Sequence, residues 1–385
     1  MAVKAKVKLD LLVFFSIILG VFLVFGFLKW GGGEEIEEFK IFKKDRAEEI
    51  LEGLSLDQKI GQVILTGLEG EILVEKEVEM IKGASVSGFI LLSKNIQSPE
   101  QVQKLTSDIQ AAATTSATKE LPILISVDQE GGSVTRIDFE GFEKTSQSQI
   151  ESVEQAYQIG KKRGSELKSL GIDVNFSPVV EVLRDENSYL GQTGRHFTNR
   201  GKGVLELASA MIKGMAESNV VAVAKHFPGG LGRIFLNPHD TLPEIDISRE
   251  DLEQDLFPFR NLAGEVEAMM VTHLLYPQID KENPVAISRI FIKDILRDEL
   301  GFDGVIIVDD LKMGAVVKNY QPEDYAFKAI LSGADLIIII DRDLAERVRQ
   351  RLRDEIKRGG LTEKRLDEAV ERVLRLRFKV QDKAF

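Results

Sequence analysis

VIIVDD, residues 305–310, strings four β-branched residues together and ends in two carboxylates. A strand with one face in water alternates apolar and polar side chains. An unbroken apolar run indicates a strand covered on both faces, as in a parallel sheet. Comparable runs recur near Val63 (VILT), Gly88 (GFILL), Ile123 (ILISVD), Ile172 (IDVNFSPV), Val220 (VVAVAKH), Ala268 (AMMVTH) and Ala334 (ADLIIII). Between them lie helical stretches, for instance residues 101–115, 151–170 and 205–218. Eight strand–helix repeats over about 320 residues predict an α/β fold, a (β/α)8 TIM-type barrel, with an open doubly wound sheet as the alternative. Two amphipathic segments close the chain, one over residues 344–357 and one after a Thr362 N-cap. The barrel should occupy residues 53–385, leaving no long stretch for a second domain.

Polar residues gather at the ends of these runs. Asp128, Asn175, Lys225, His226, His273 and Asp309 each stand at or just past the end of a predicted strand. That edge of a (β/α)8 barrel builds active sites, so the clustering favours catalysis over structure. All 4 histidines (196, 226, 239 and 273) fall in such segments. Each has an ordinary reading beside it. Asp128 to Gly132 suits a tight turn, Arg136 and Arg195 suit surface ion pairs, and Lys225-His226 suits a buried pair supporting the barrel. The glycines at 229, 230 and 232 lack the spacing of a phosphate-binding loop and instead predict a pliable loop between Phe227 and His239.

The 385 residues carry a net charge of −12 without a basic stripe, which argues against nucleic acid as a partner. With 0 Cys there is no disulfide, thiolate metal site, cysteine nucleophile or lipoprotein anchor. Nothing predicts a metal site or cofactor. Lys4, Lys6 and Lys8 precede an apolar run over residues 11–28, LLVFFSIILGVFLVFGFL. As a helix it would rise ~27 Å, close to the hydrocarbon thickness of a bilayer. It ends in Phe-Leu-Lys-Trp-Gly rather than in small residues, so an uncleaved anchor is expected over a cleaved signal or a soluble helix. Residues 1–30 then read as a cytoplasmic stub and single-pass transmembrane helix, with the lipid bilayer as partner of residues 11–28. Residues 31–52 read as an acidic juxtamembrane linker, and the leading lysines place the barrel outside the cytoplasm.

Several segments resemble the signatures of glycoside hydrolase family 3, in particular its single-domain bacterial β-N-acetylglucosaminidases. They are Lys225-His226-Phe227-Pro228-Gly229 with His239-Asp240-Thr241-Leu242-Pro243, and Asp128 to Gly132 with Arg136. Asn175 to Val179, Gly194 to Phe197, Pro284 to Ser288, and Leu300 to Gly304 leading into Val308 to Met313 complete the set. The resemblance implies a retaining hydrolase of β-linked terminal N-acetylglucosamine or a similar sugar in a glycan or amino-sugar oligosaccharide. Asp309 would be the nucleophile and His239 the acid/base on a loop, with Asp128, Arg136, Arg195, Lys225 and His226 binding the sugar. Strand alternation points Asp309 and Asp310 to opposite sides; the resemblance selects Asp309 and leaves Asp310 to support the rim.

Some positions depart from the family pattern. Where its short enzymes read Asp-Ser-His, this chain has Asn237-Pro238-His239, in a loop one residue longer. Asn237 is expected to orient the imidazole without supplying charge to stabilise its protonated form. Gly230 replaces a His, Ser133 stands where Arg is common, and Glu181 where Asp is common. Two other readings therefore stay open: another family 3 β-glycosidase or glycoside phosphorylase, and a non-catalytic, membrane-tethered sugar-binding protein.

Overall fold

The computed structural model describes residues 46–114 and 121–381. Contacts divide the chain after residue 50, and residues 51–385 hold the whole barrel. The apolar run 11–28, and with it the expected anchor, lies outside the described residues, as does most of the expected linker. Among the described residues no helix is long and apolar enough to cross a membrane.

Eight strands follow in order: β1 (Ile64–Gly67), β2 (Gly88–Leu91), β3 (Leu124–Val127), β4 (Val174–Asn175), β5 (Val221–Phe227), β6 (Ala268–Val271), β7 (Val305–Val308) and β8 (Leu336–Ile339). Each pairs in parallel with its sequence neighbour, and β1 pairs with β8, so the sheet closes and the doubly wound alternative falls away. Strand β4 is shorter than its apolar run suggests. Pro178 has no N–H for the ladder, and Ser177 turns its N–H back onto the Asn175 carbonyl at 2.8 Å.

Sequence punctuation sets the helices that return the chain. Ser98 accepts from Gln101 N–H at the start of Pro99–Ala113, with Pro99 in the first turn. Ser152, Ser248 and Asp341 cap Val153–Ser169, Arg249–Leu262 and Arg342–Arg358 in the same way. The Thr362 hydroxyl accepts from Arg365 N–H at 3.2 Å, as expected of an N-cap.

Alternate strand residues fill the interior: Leu65, Ile90, Leu124, Val174, Val221, Val223, Met270, Ile307 and Ile338 among them. The last helix, Glu363–Gln381, adds Val373, Leu376 and Val380 to the same core. Full burial of each such side chain is worth about 1.5–3 kcal/mol. Asp335, just ahead of β8, is fully buried and held by Arg297, Arg365 and Arg372 and by Ile306 N–H. This charged knot lies at the starting end of the strands, where a barrel keeps its stability residues. The opposite rim is left free for chemistry.

Candidate active site

Asp128 directly follows β3, and the turn after it is tied down from inside. The Gln129 side-chain oxygen accepts from Arg136 N–H (2.9 Å) and Ile137 N–H (3.0 Å), while Asn175 exchanges two hydrogen bonds with the Gln129 backbone. This turn buries Glu130 and carries Arg136 to the pocket. Glu130 receives a two-pronged contact from Arg195 (2.7 and 2.8 Å) and another from Lys225 Nζ (2.7 Å). Lys225 Nζ also reaches Asp128 at 2.7 Å. Burial alone would raise the Glu130 pKa, but Arg195 and Lys225 outweigh it and hold the carboxyl far below its ordinary range. Burial likewise works against the Lys225 charge, and Asp128 with Glu130 overrides it upward. Opposite charges thus alternate along Asp128, Lys225, Glu130 and Arg195, and each is held without net charge accumulating.

His226 extends the row. The register slips between β5 and β6 from Ala224 to Phe227, and this irregularity lets both Lys225 and His226 face the pocket. His226 Nε2 lies 3.4 Å from Arg195 Nη2, and Nδ1 lies 2.8 Å from Glu181. Glu181 also accepts Leu231 N–H at 2.7 Å. Burial pushes Glu181 up to about 8. Burial, then Lys225 and Arg195, push His226 well below its ordinary value.

The Glu181 shift has a stability consequence. A carboxyl whose folded pKa is raised keeps its proton where the unfolded chain has released it, so stability falls as pH rises toward about 8. Glu181→Gln should remove that fall. Between about pH 6.5 and 8, above the range where His226 acts, the parent Tm should drop roughly 3 °C more than the variant's. Parallel Tm curves would mean that Glu181 is ionised in the folded protein.

Asp309 follows β7 and closes the far side. Its carboxylate accepts from Asp310 N–H at 2.8 Å, and its backbone carbonyl lies 3.2 Å from His273 Nε2. His273 Nδ1 in turn lies 2.9 Å from the Tyr325 hydroxyl. Asp310 points away, accepting from Ile340 N–H at 3.0 Å; burial, then the Asp309 charge, raise it to about 6. The cavity between these elements is lined by Asp128, Glu130, Arg136, Arg195, Lys225, His226, His239 and Asp309. Tyr189, Leu231, Pro238, Thr272 and Met313 complete the lining with Val134. Arg136 Nε is buried there without a hydrogen-bond partner.

The site residues expected from sequence converge on this cavity, with Asn237 the exception. Its side-chain oxygen accepts from the backbone N–H of His239 at 3.0 Å instead of from the imidazole. Its own carbonyl accepts from Asp240 N–H and Thr241 N–H, so Asn237 builds the turn that presents His239. The glycines also act differently from expectation. Residues 227–232 are buried, and a Cβ at Gly230 would lie 2.3 Å from the Tyr276 hydroxyl. They permit close packing at the foot of the loop, which Asp255 braces further through Arg184 (2.7 Å) and Arg233 (2.7 Å). Of the histidines, 226 and 239 line the cavity; His273 sits behind Asp309, and His196 Nδ1 lies 3.3 Å from the Leu190 carbonyl. Sequence reasoning missed Glu130, which lies in the turn two positions after Asp128 and is recognisable only once Arg195 and Lys225 meet it. Tyr189, Thr272 and Met313 left no comparable signal.

The chain is 35% identical over 288 residues to a beta-hexosaminidase of Alkalilimnicola ehrlichii, covering 72% of this chain and 80% of that protein. A glycoside hydrolase family 3 beta-N-acetylglucosaminidase from Paenibacillus sp. superposes with a TM-score of 0.80 at 32% identity. That match covers 86% of this chain and 64% of the longer neighbour. A beta-N-acetylhexosaminidase from Beutenbergia cavernae gives a TM-score of 0.78 at 28% identity, over 84% of this chain and 99% of the other. Residues 55–376 match the glycosyl hydrolase family 3 N terminal domain, so the chain belongs to glycosyl hydrolase family 3 and is a glycosidase.

Proposed function

We propose that the protein is a retaining β-N-acetylhexosaminidase that removes terminal N-acetylglucosamine or a similar sugar. What carries this reading is the meeting of Asp309 and His239, from two separate loops, in one cavity with the row of alternating charges. The sugar ring would lie against Asp128, Arg136, Arg195, Lys225 and His226, whose donors and acceptors suit vicinal hydroxyls. Arg136 lines the cavity, where its guanidinium can donate to a substrate oxygen. The Asp309 carboxylate would attack the anomeric carbon as His239 gives its proton to the departing oxygen, leaving a glycosyl ester on Asp309. His239, now neutral, would take a proton from water, which attacks the same carbon and frees Asp309. Two displacements at one carbon retain the β-configuration. Asn237 supplies the turn and no charge, so proton transfer would fall to the imidazole alone.

The relatives' names favour the N-acetyl sugar. We read the apolar run 11–28 as a tether that holds the barrel to a bilayer. Two measurements test these readings. Aryl N-acetyl-β-glucosaminide should be turned over at least about tenfold faster than aryl β-glucoside, in kcat/KM, with N-acetylglucosamine released as the β-anomer. Activity of the full chain should sediment with membranes, and that of a chain lacking residues 1–34 should not. Preference for the glucoside would replace the substrate, a lack of turnover on either would favour a sugar-binding protein, and full-chain activity in the supernatant would remove the tether.

A further inference from the structure

Three hydrogen bonds join the tip of the His239 loop to the segment that follows Asp309. Gly314 N–H donates to the His239 carbonyl (2.8 Å), Ala315 N–H to the Pro238 carbonyl (3.1 Å), and Lys318 Nζ to the Asp240 carbonyl (2.6 Å). The contact depends on Gly314: a Cβ there would lie 2.5 Å from the His239 carbonyl oxygen and 2.6 Å from the Asp240 carbonyl. Met313, the residue before it, lines the cavity. The tip itself is a unit, because Asn237 binds the N–H groups of His239, Asp240 and Thr241. Between this unit and the packed foot of the loop stand Phe235 and Leu236, 63% and 55% exposed. These bonds dock the tip across the cavity mouth, on the segment that follows Asp309.

We propose that Lys318 and Gly314 form a latch that seats His239 over the cavity, which makes Lys318 a positioning residue for proton transfer. The proposal rests on the reading of His239 as acid/base. Lys318 touches neither sugar nor reacting atoms; it acts on the carbonyl of the residue after His239. Release of the latch frees the whole turn 237–241, so the imidazole loses its aim while Asp309 and the sugar-binding row stay in place. A proton donor must sit within hydrogen-bond reach of the leaving oxygen, and small displacements are expensive in rate. Formation of the glycosyl ester from a leaving group that needs no proton is much less sensitive to that aim.

The test uses the full chain with Lys318→Ala, Lys318→Arg and Gly314→Ala, and compares an N-acetylglucosaminyl disaccharide with the nitrophenyl glycoside. In Lys318→Ala the ratio of kcat/KM values, disaccharide over nitrophenyl, should fall about five- to tenfold. Gly314→Ala should lower it further, because the new methyl group pushes against the loop backbone, and Lys318→Arg should restore most of it. Amide exchange at His239, Asp240 and Thr241 should quicken in both alanine variants, a change that needs no substrate. His239→Ala serves as the reference. If it lowers the ratio while Lys318→Ala and Gly314→Ala leave both ratio and exchange at parent values, the latch is overturned alone. If His239→Ala leaves the ratio unchanged, the acid/base reading fails and the proposed role of the latch fails with it.

Discussion

Asp309→Asn should lower turnover by several powers of ten while binding of N-acetylglucosamine stays measurable. The amide has nearly the shape of the carboxylate and can still accept the Asp310 N–H that now holds Oδ1 at 2.8 Å. What it lacks is an oxygen nucleophile able to form an ester. The sugar-binding row is anchored elsewhere, through Glu130 and the Gln129 turn, so affinity should change little. Kinetics on the nitrophenyl glycoside, together with calorimetry on the free sugar, separate the two effects. A slow fluorosugar substrate that keeps the N-acetyl group and stalls on the parent enzyme should label the peptide containing Asp309. Activity within tenfold of the parent would move the nucleophile, and a label on Asp310 would say where.

His239→Ala should fall about 10²–10⁴-fold on a disaccharide and far less on the nitrophenyl glycoside for glycosyl transfer to the enzyme. The loss follows the leaving group: an alkoxide needs a proton as the bond breaks, while nitrophenolate departs without one. Azide, which attacks without giving up a proton, should restore turnover of the second step and yield a β-glycosyl azide. Equal losses on both substrates would make the loop histidine structural, with Asp240 or the substrate itself left to supply the proton.

Much of this fold is legible because a parallel barrel writes itself plainly. Each strand is buried on both faces, so VIIV and LIII stand out as continuous apolar runs, and the first polar residue after each run falls on the rim. Asp128, Lys225, His226 and Asp309 are readable for that reason. What fails to be legible depends on approach in space. Glu130 looks like a solvated turn residue until Arg195 and Lys225 close over it. Asn237 reads as a partner for the imidazole, but a two-residue backbone turn is the nearer competitor for its amide oxygen. Gly229, Gly230 and Gly232 read as freedom, whereas Tyr276 and the chain at Val182 turn them into a tight fit. Lys318 carries no signal at all, because its partner is a backbone carbonyl on a loop almost eighty residues earlier.

The filling of the barrel by Val373, Leu376 and Val380 has a consequence for how the chain comes into being. β1 finds its second neighbour only when β8 has been made, and the core that Leu65 enters is completed by helix residues roughly three hundred positions later in the chain. Until then the early strands have apolar interiors with nothing to close them, and the last helix acts as the stopper that makes burial complete. Contacts so distant in sequence form late and together, so an emerging chain stays open, and available to whatever carries or shields it, until the helix Glu363–Gln381 has been made.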